Sequence, residues 1–182
     1  MTLLIKAVRR VLASKNTYYH GSPKDHGEIF KVQEFGTQWG QDFGGVFLAS
    51  HKMGHISFGK NYWYKVEIDD SDILEPHRLY FDFDQNDNKI LKVLPHFDTE
   101  EDFDLAWEII CERASDEEEE DRLFGDSDRG SGGWELQRIQ GQIAKALGFK
   151  AVELKDERGT VYLLPGPATM FKDENQSDSI GE

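Results

Sequence analysis

Asn16-Thr-Tyr-Tyr-His-Gly-Ser22 decides how the chain is read, together with Gly44-Gly-Val-Phe-Leu-Ala-Ser50 further along. Thr and Tyr favour a pleated, half-buried strand. At the end of that strand His20 supplies a ring that donates and accepts hydrogen bonds, and Gly21 lets a ligand touch bare backbone. A small-molecule site on a sheet needs this combination. A core histidine followed by a turn glycine has the same local pattern, so the remainder of the chain must decide.

A length of 182 residues suits one domain with a sizeable core. An apolar content of 38% with 12% aromatic residues fits a globular chain rather than a disordered one. The formal net charge is -14, with a pI near 4.8, which opposes binding to nucleic acid or to anionic membranes. The acidic excess gathers at 98–104, 116–121 and 173–182. Such runs form solvated faces and tails, or dock onto a basic protein surface. Cys111 is the single cysteine, which leaves no disulfide framework or cysteine-based metal site and fits a reducing, cytoplasmic setting. Leu3, Leu4, Ala7, Val8, Val11 and Leu12 recur at helical spacing, with Lys6, Arg9 and Arg10 breaking any apolar span. Residues 1–15 therefore read as an amphipathic helix.

Further on, the pattern predicts a strand at 16–20, loop from Gly21 to Gly44, and a second strand at 45–49. Ser50 would cap a short helix ending near Gly59. Tyr62–Ile68 alternates as a third strand, and an extended piece falls within 73–83. Thr99 caps a helix carrying Phe103, Ala106, Trp107 and Ile110 on one face and ending about Ala114. Residues 115–133 read as a mobile loop near the site. Leu136, Ile139, Ile143 and Leu147 form one stripe of a helix from Trp134 that stops at Gly148. Strands at 149–154 and 160–164 then flank the hairpin segment Lys155–Gly159. Ala168–Phe171 reads as a short edge strand, and 172–182 as an acidic flexible tail. The sum is an α+β domain over 16–171 built on two small antiparallel sheets with flanking helices.

His20-Gly21, the Gly44–Phe58 unit and Asp156 all fall at strand edges. Each alone has an ordinary structural explanation, since Asp favours turns and Phe favours cores. Together they resemble the His-Tyr-Glu-like branch of the ADP-ribosyltransferase fold. In that branch a first strand ends in Tyr-His-Gly, and a second carries an aromatic with another aromatic eleven residues later, here Phe47 and Phe58. The last of the three motif residues is a carboxylate at the edge of a late strand. The chain departs from the pattern by placing Phe where the branch has Tyr and Asp where it has Glu.

The C-terminal half resembles a narrower group. Asp104-Leu-Ala-Trp-Glu108, Gly133-Trp-Glu-Leu-Gln-Arg138, Ala146-Leu-Gly-Phe149 and Val152-Glu-Leu-Lys-Asp-Glu-Arg-Gly-Thr160 are similar to the phage anti-CRISPR ADP-ribosyltransferases that disable the type I-F surveillance complex. The resemblance implies an NAD cleft between the two sheets and NAD as co-substrate. It implies a protein target, with a subunit of a bacterial CRISPR complex as the expected partner. It assigns Asp156 as the catalytic acid, since cleavage of the nicotinamide–ribose bond develops positive charge on the sugar. His20, Gly21, Ser22, Gly45, Phe47, Ser50, Phe58 and Tyr62 become candidates for holding NAD, with Phe58 first for stacking on nicotinamide. Glu153 is a second candidate acid. Gln137 and Arg138 are expected to be structural. No metal is expected: His51 and His55 stand four apart without a third ligand in the motif. Two other functions remain open: the acidic composition fits a decoy that blocks a basic channel without chemistry, and the resemblance equally implies a toxin-type transferase with a different protein target.

Overall fold

The computed structural model describes residues 14–33, 37–38, 41–42, 45–52, 62–125, 132–156 and 159–174. Its strands are β1 (Lys15–Ser22), β2 (Ile29–Val32), β3 (Thr37–Gln38), β4 (Gln41–Asp42), β5 (Gly45–Leu48), β6 (Tyr62–Asp69), β7 (Ile73–Leu74), β8 (Ala151–Asp156), β9 (Gly159–Pro165) and β10 (Ala168–Lys172). Its helices are α1 (Leu79–Asp82), α2 (Asn88–Leu91), α3 (Glu100–Ile110), α4 (Glu117–Phe124) and α5 (Gly132–Leu147). The strands make two four-stranded sheets, ordered β1-β6-β10-β2 and β5-β9-β8-β7, and a small β3-β4 pair.

The first sheet follows from alternation in β1. Tyr18, His20 and Ser22 are buried on one face while their neighbours are not. β6 pairs with it antiparallel from Lys15↔Asp69 to Ser22↔Tyr62, placing His20 opposite the fully buried Tyr64. Tyr18, Tyr64, Ile68 and Met170 fill the core beneath this sheet. The second sheet carries the larger core on its other side. There Val152, Leu154, Val161 and Leu163 meet Ile139, Ile143 and Leu147 of α5 and Ala106, Trp107 and Ile110 of α3. These are the helical stripes expected from the sequence. Gly141 lets α5 sit close on β9, because a Cβ there would stand 2.6 Å from Leu163 Cδ2.

Several expectations change. β10 lies inside its sheet, between β6 and β2, rather than at an edge. β7 pairs parallel with β8, so the second sheet is mixed and not purely antiparallel. Part of the predicted 21–44 loop is extended, in β2, β3 and β4. Part of the predicted 115–133 loop is α4, because Asp116 accepts from the N–H groups of Glu118 and Glu119, and four glutamates occupy the first turn. Carboxylates at that end favour the helix dipole.

The expected tail begins later than residue 172. Asp173 is buried, and its carboxylate pairs with Lys52 Nζ at 2.5 Å and Lys65 Nζ at 3.0 Å. Burial pushes that carboxyl up, but the two ammonium groups outweigh burial and hold it below the usual range. A depressed folded value contributes stability above the unfolded value, about 3.9, and loses it as pH falls. The stability difference between the wild type and Asp173→Asn is therefore expected to be full at neutral pH and to shrink below about pH 4. Urea unfolding across pH checks this; a difference independent of pH would contradict it. Residues 1–13 of the helix expected at 1–15 and most of the one expected after Ser50 lie outside the described residues, and Lys15 belongs to β1.

Candidate active site

A backbone bridge joins the two sheets where Tyr19 and Ala49 exchange hydrogen bonds of 2.9 Å in each direction. On either side of it β1 pairs with β6 and β5 with β9. Next to this bridge His20 Nδ1 donates to the Phe47 carbonyl at 2.9 Å. The carbonyl can only accept, so this bond puts the proton of the neutral ring on Nδ1 and makes Nε2 the acceptor nitrogen. His20 is thus buried and clasps the two sheets through its ring. Its ring stacks on Phe30 with centroids 5.5 Å apart. Gly21 stands beside it on β1, opposite Trp63.

Sequence reading missed the layer behind His20. His26 stacks on Phe30 at 4.3 Å, its Nε2 lies 3.1 Å from Ser22 Oγ, and its backbone N–H donates to Tyr64 Oη at 2.6 Å. Burial lowers the His26 pKa. Tyr64 Oη donates to Asp25 at 3.2 Å, and Lys172 pairs with the same carboxylate at 2.8 Å. Ser22 is therefore a buried member of this support, also accepting from the Lys24 N–H at 3.2 Å, and not an open ligand contact. Tyr62 sits opposite Ser22 on β6, with Lys172 over its ring at 5.3 Å. No sequence motif marked His26, because its role arises from β2 and β6 folding around it.

Gly45 and Phe47 belong to β5, paired with Pro165 and Leu163 of β9. Gly45 has a steric reason to be glycine: a Cβ would lie 2.3 Å from the Leu164 carbonyl oxygen. Gly45→Ala is expected to cost about 1–3 kcal/mol of stability through that overlap, read as a lower urea midpoint. An unchanged midpoint would return Gly45 to a purely ligand-facing role. Phe47 is half-buried, and Trp134, at the start of α5, meets it edge-on with centroids 6.5 Å apart. Trp134 is 43% exposed, a second aromatic surface that sequence reading placed only in a helix. Ser50 follows the strand and its Oγ lies 3.0 Å from His51 Nδ1. Phe58 and His55 lie outside the described residues.

Asp156 is the last residue of β8, opposite Gly159 at the first position of β9. Gly159 has φ +115°, a conformation that glycine alone adopts easily, so the hairpin needs it there. Lys155 pairs with Glu112 at 3.3 Å. Glu153 holds the opposite register position from Asp156, since three residues separate them on a strand. Burial first, then Glu75 and Glu112, push the Glu153 carboxyl up. It faces Tyr162, whose own pKa is pushed up to about 12 by burial and by Glu153. Glu153 thus belongs with Tyr162 and Tyr18, on the opposite register from Asp156. Arg138 forks onto Glu135 with bonds of 2.7 and 2.6 Å. The Cys111 thiol is buried and pushed up to about 12, so it stays protonated at neutral pH. Among the described residues no group of three or more His, Cys, Asp or Glu could hold a metal, and no helix is long and apolar enough to cross a membrane.

The family model for the anti-CRISPR type I-F ADP-ribosyltransferase AcrIF11 matches residues 16–171. The chain belongs to this anti-CRISPR ADP-ribosyltransferase family. A solved structure described as the crystal structure of an anti-CRISPR protein is 25% identical, with a TM-score of 0.53, across 87% of this chain and 96% of that one. No curated protein matches. Membership implies NAD as co-substrate, and the matched residues include the His20–Phe47 clasp. The mixed α+β architecture with two small sheets agrees with the family fold.

Proposed function

We propose that the chain transfers ADP-ribose from NAD to a protein side chain in a type I-F CRISPR complex, releasing nicotinamide, with Asp156 as the catalytic carboxylate. The observation that carries this reading is the family match over 16–171, which contains His20, Phe47 and Asp156. Several residues around the His20–Phe47 clasp suit the co-substrate. Nε2 of His20, turned into an acceptor by the Nδ1 bond to Phe47, takes a ribose hydroxyl. The Gly21 backbone offers a donor and an acceptor to the carboxamide. Phe47 and Trp134 supply aromatic faces near the clasp, and Phe58 remains a stacking candidate. Gly45, Ser50 and Tyr62 are weaker candidate contacts.

The chemistry asks little else of the protein. The bond between the nicotinamide nitrogen and ribose C1′ breaks, its electron pair leaves with nicotinamide, and positive charge grows on the sugar. Asp156 stabilises that charge and takes the proton that the acceptor loses as it bonds to C1′. The attached group adds bulk and two phosphate charges where a nucleic acid must dock. Incubating the protein with labelled NAD and a lysate containing a type I-F complex tests the reading. A labelled complex subunit is expected; label confined to unrelated proteins would remove the CRISPR target, and no label would remove the activity.

A further inference from the structure

α2, α3 and the segment between them enclose a groove of about 670 Å³, away from β1, β5 and the hairpin that form the candidate site. Leu91, Leu94 and Phe103 contribute apolar surface, and Leu91 is 41% exposed. Asp98, Glu100 and Asp104 also line it, and the lining contains no Lys or Arg. The carboxylates stand at the start of α3, which Thr99 caps by accepting from the Asp102 N–H at 3.0 Å. A cation with an aliphatic stem meets both surfaces: the stem covers the leucines and the charge reaches the carboxylates. His96 also lines it, beside Asp98 at 3.9 Å, but the three carboxylates disfavour an anionic ligand, in a chain whose formal charge is -14.

α3 also fixes where the groove lies relative to the chemistry. Its eleven residues rise about 16 Å. Just past its far end Glu112 holds Lys155, the neighbour of Asp156. One helix therefore joins the groove to the catalytic hairpin.

We propose that this groove is an exosite that docks a Lys- or Arg-bearing segment with an aliphatic anchor on the protein acceptor, positioning the modified side chain at the hairpin about 16 Å away. The inference rests on the reading above that the acceptor is a protein, and it assigns how that acceptor is recognised. Docking remote from the bond being made lowers the KM for the acceptor and leaves the chemical step alone.

The test uses the purified type I-F surveillance complex as probe and two variants at exposed positions, Asp98→Lys/Asp104→Lys and Leu91→Asp. For both, the KM for the complex is expected to rise at least about tenfold, with kcat and the KM for NAD unchanged and the melting temperature preserved. Binding of the complex to immobilised protein without NAD should weaken in parallel, and wild-type binding should weaken with added salt. Asp156→Ala should bind as wild type does. Unchanged KM and binding in both variants would overturn the proposal, as would a fall in kcat alone. A wild-type dimer that Leu91→Asp dissociates in sedimentation would overturn it too, by giving the groove to a second copy. If the wild type binds the complex through the groove without modifying it, the enzymatic reading fails and the docking surface stands.

Discussion

Asp156→Ala is expected to abolish both nicotinamide release and labelling of the target, by at least about a hundredfold, with the fold intact. The size of the effect follows from the role. A carboxylate that stabilises charge on the sugar acts only as the bond breaks, so its loss falls on kcat rather than on NAD binding. The fold survives because Asp156 closes β8 at the hairpin end, whereas the buried ladder runs through Val152 and Leu154. Glu153→Gln is the matched control. That side chain faces Tyr162, on the other register of the same strand, and the variant is expected to keep most of its activity. A fully active Asp156→Ala protein, or one in which Glu153→Gln is the dead variant, would move the catalytic acid elsewhere.

Leu163→Ala is expected to have the largest effect on stability, about 2–5 kcal/mol, read as a fall in the urea midpoint with the slope unchanged. Leu163 is fully buried. It lies between Phe47 on β5 and Val152 on β8, and α5 comes down on it at Gly141. Truncation leaves a cavity that neither the paired strands nor the close-packed helix can fill by a small shift. A cost under about 1 kcal/mol would mean that α5 settles into the space. The site should feel the change, since Phe47 rests beside the lost side chain and Trp134 rests on Phe47.

How much of this was legible depended on whether a residue's neighbours lie close in sequence. The stripe Leu136, Ile139, Ile143 and Leu147 named the buried side of α5, and Thr99 named the start of α3, because helix periodicity and capping are local. β1, β5, β6 and the hairpin were read for the same reason, and a motif resemblance joined them into one site. What sequence hid was set by distant partners. β10 is interior because it pairs with both β6 and β2. Asp173 looked like tail until Lys52 and Lys65 met it from β6 and the turn after β5. His26 gained a role only when Phe30, Ser22 and Tyr64 surrounded it. α4 was missed through composition: a run of glutamates reads as solvated loop, although Asp116 and the helix dipole favour them at a first turn.

The central claim, that a member of this family modifies its target with ADP-ribose through Asp156, is tested most directly by intact mass. Purified type I-F surveillance complex is incubated with the wild-type protein, with and without NAD, while released nicotinamide is counted. One subunit is expected to gain the mass of ADP-ribose in step with the nicotinamide released, only when NAD is present, and not with Asp156→Ala. A complex that loses DNA binding at unchanged mass without NAD would contradict the account and leave an acidic, stoichiometric blocker in its place.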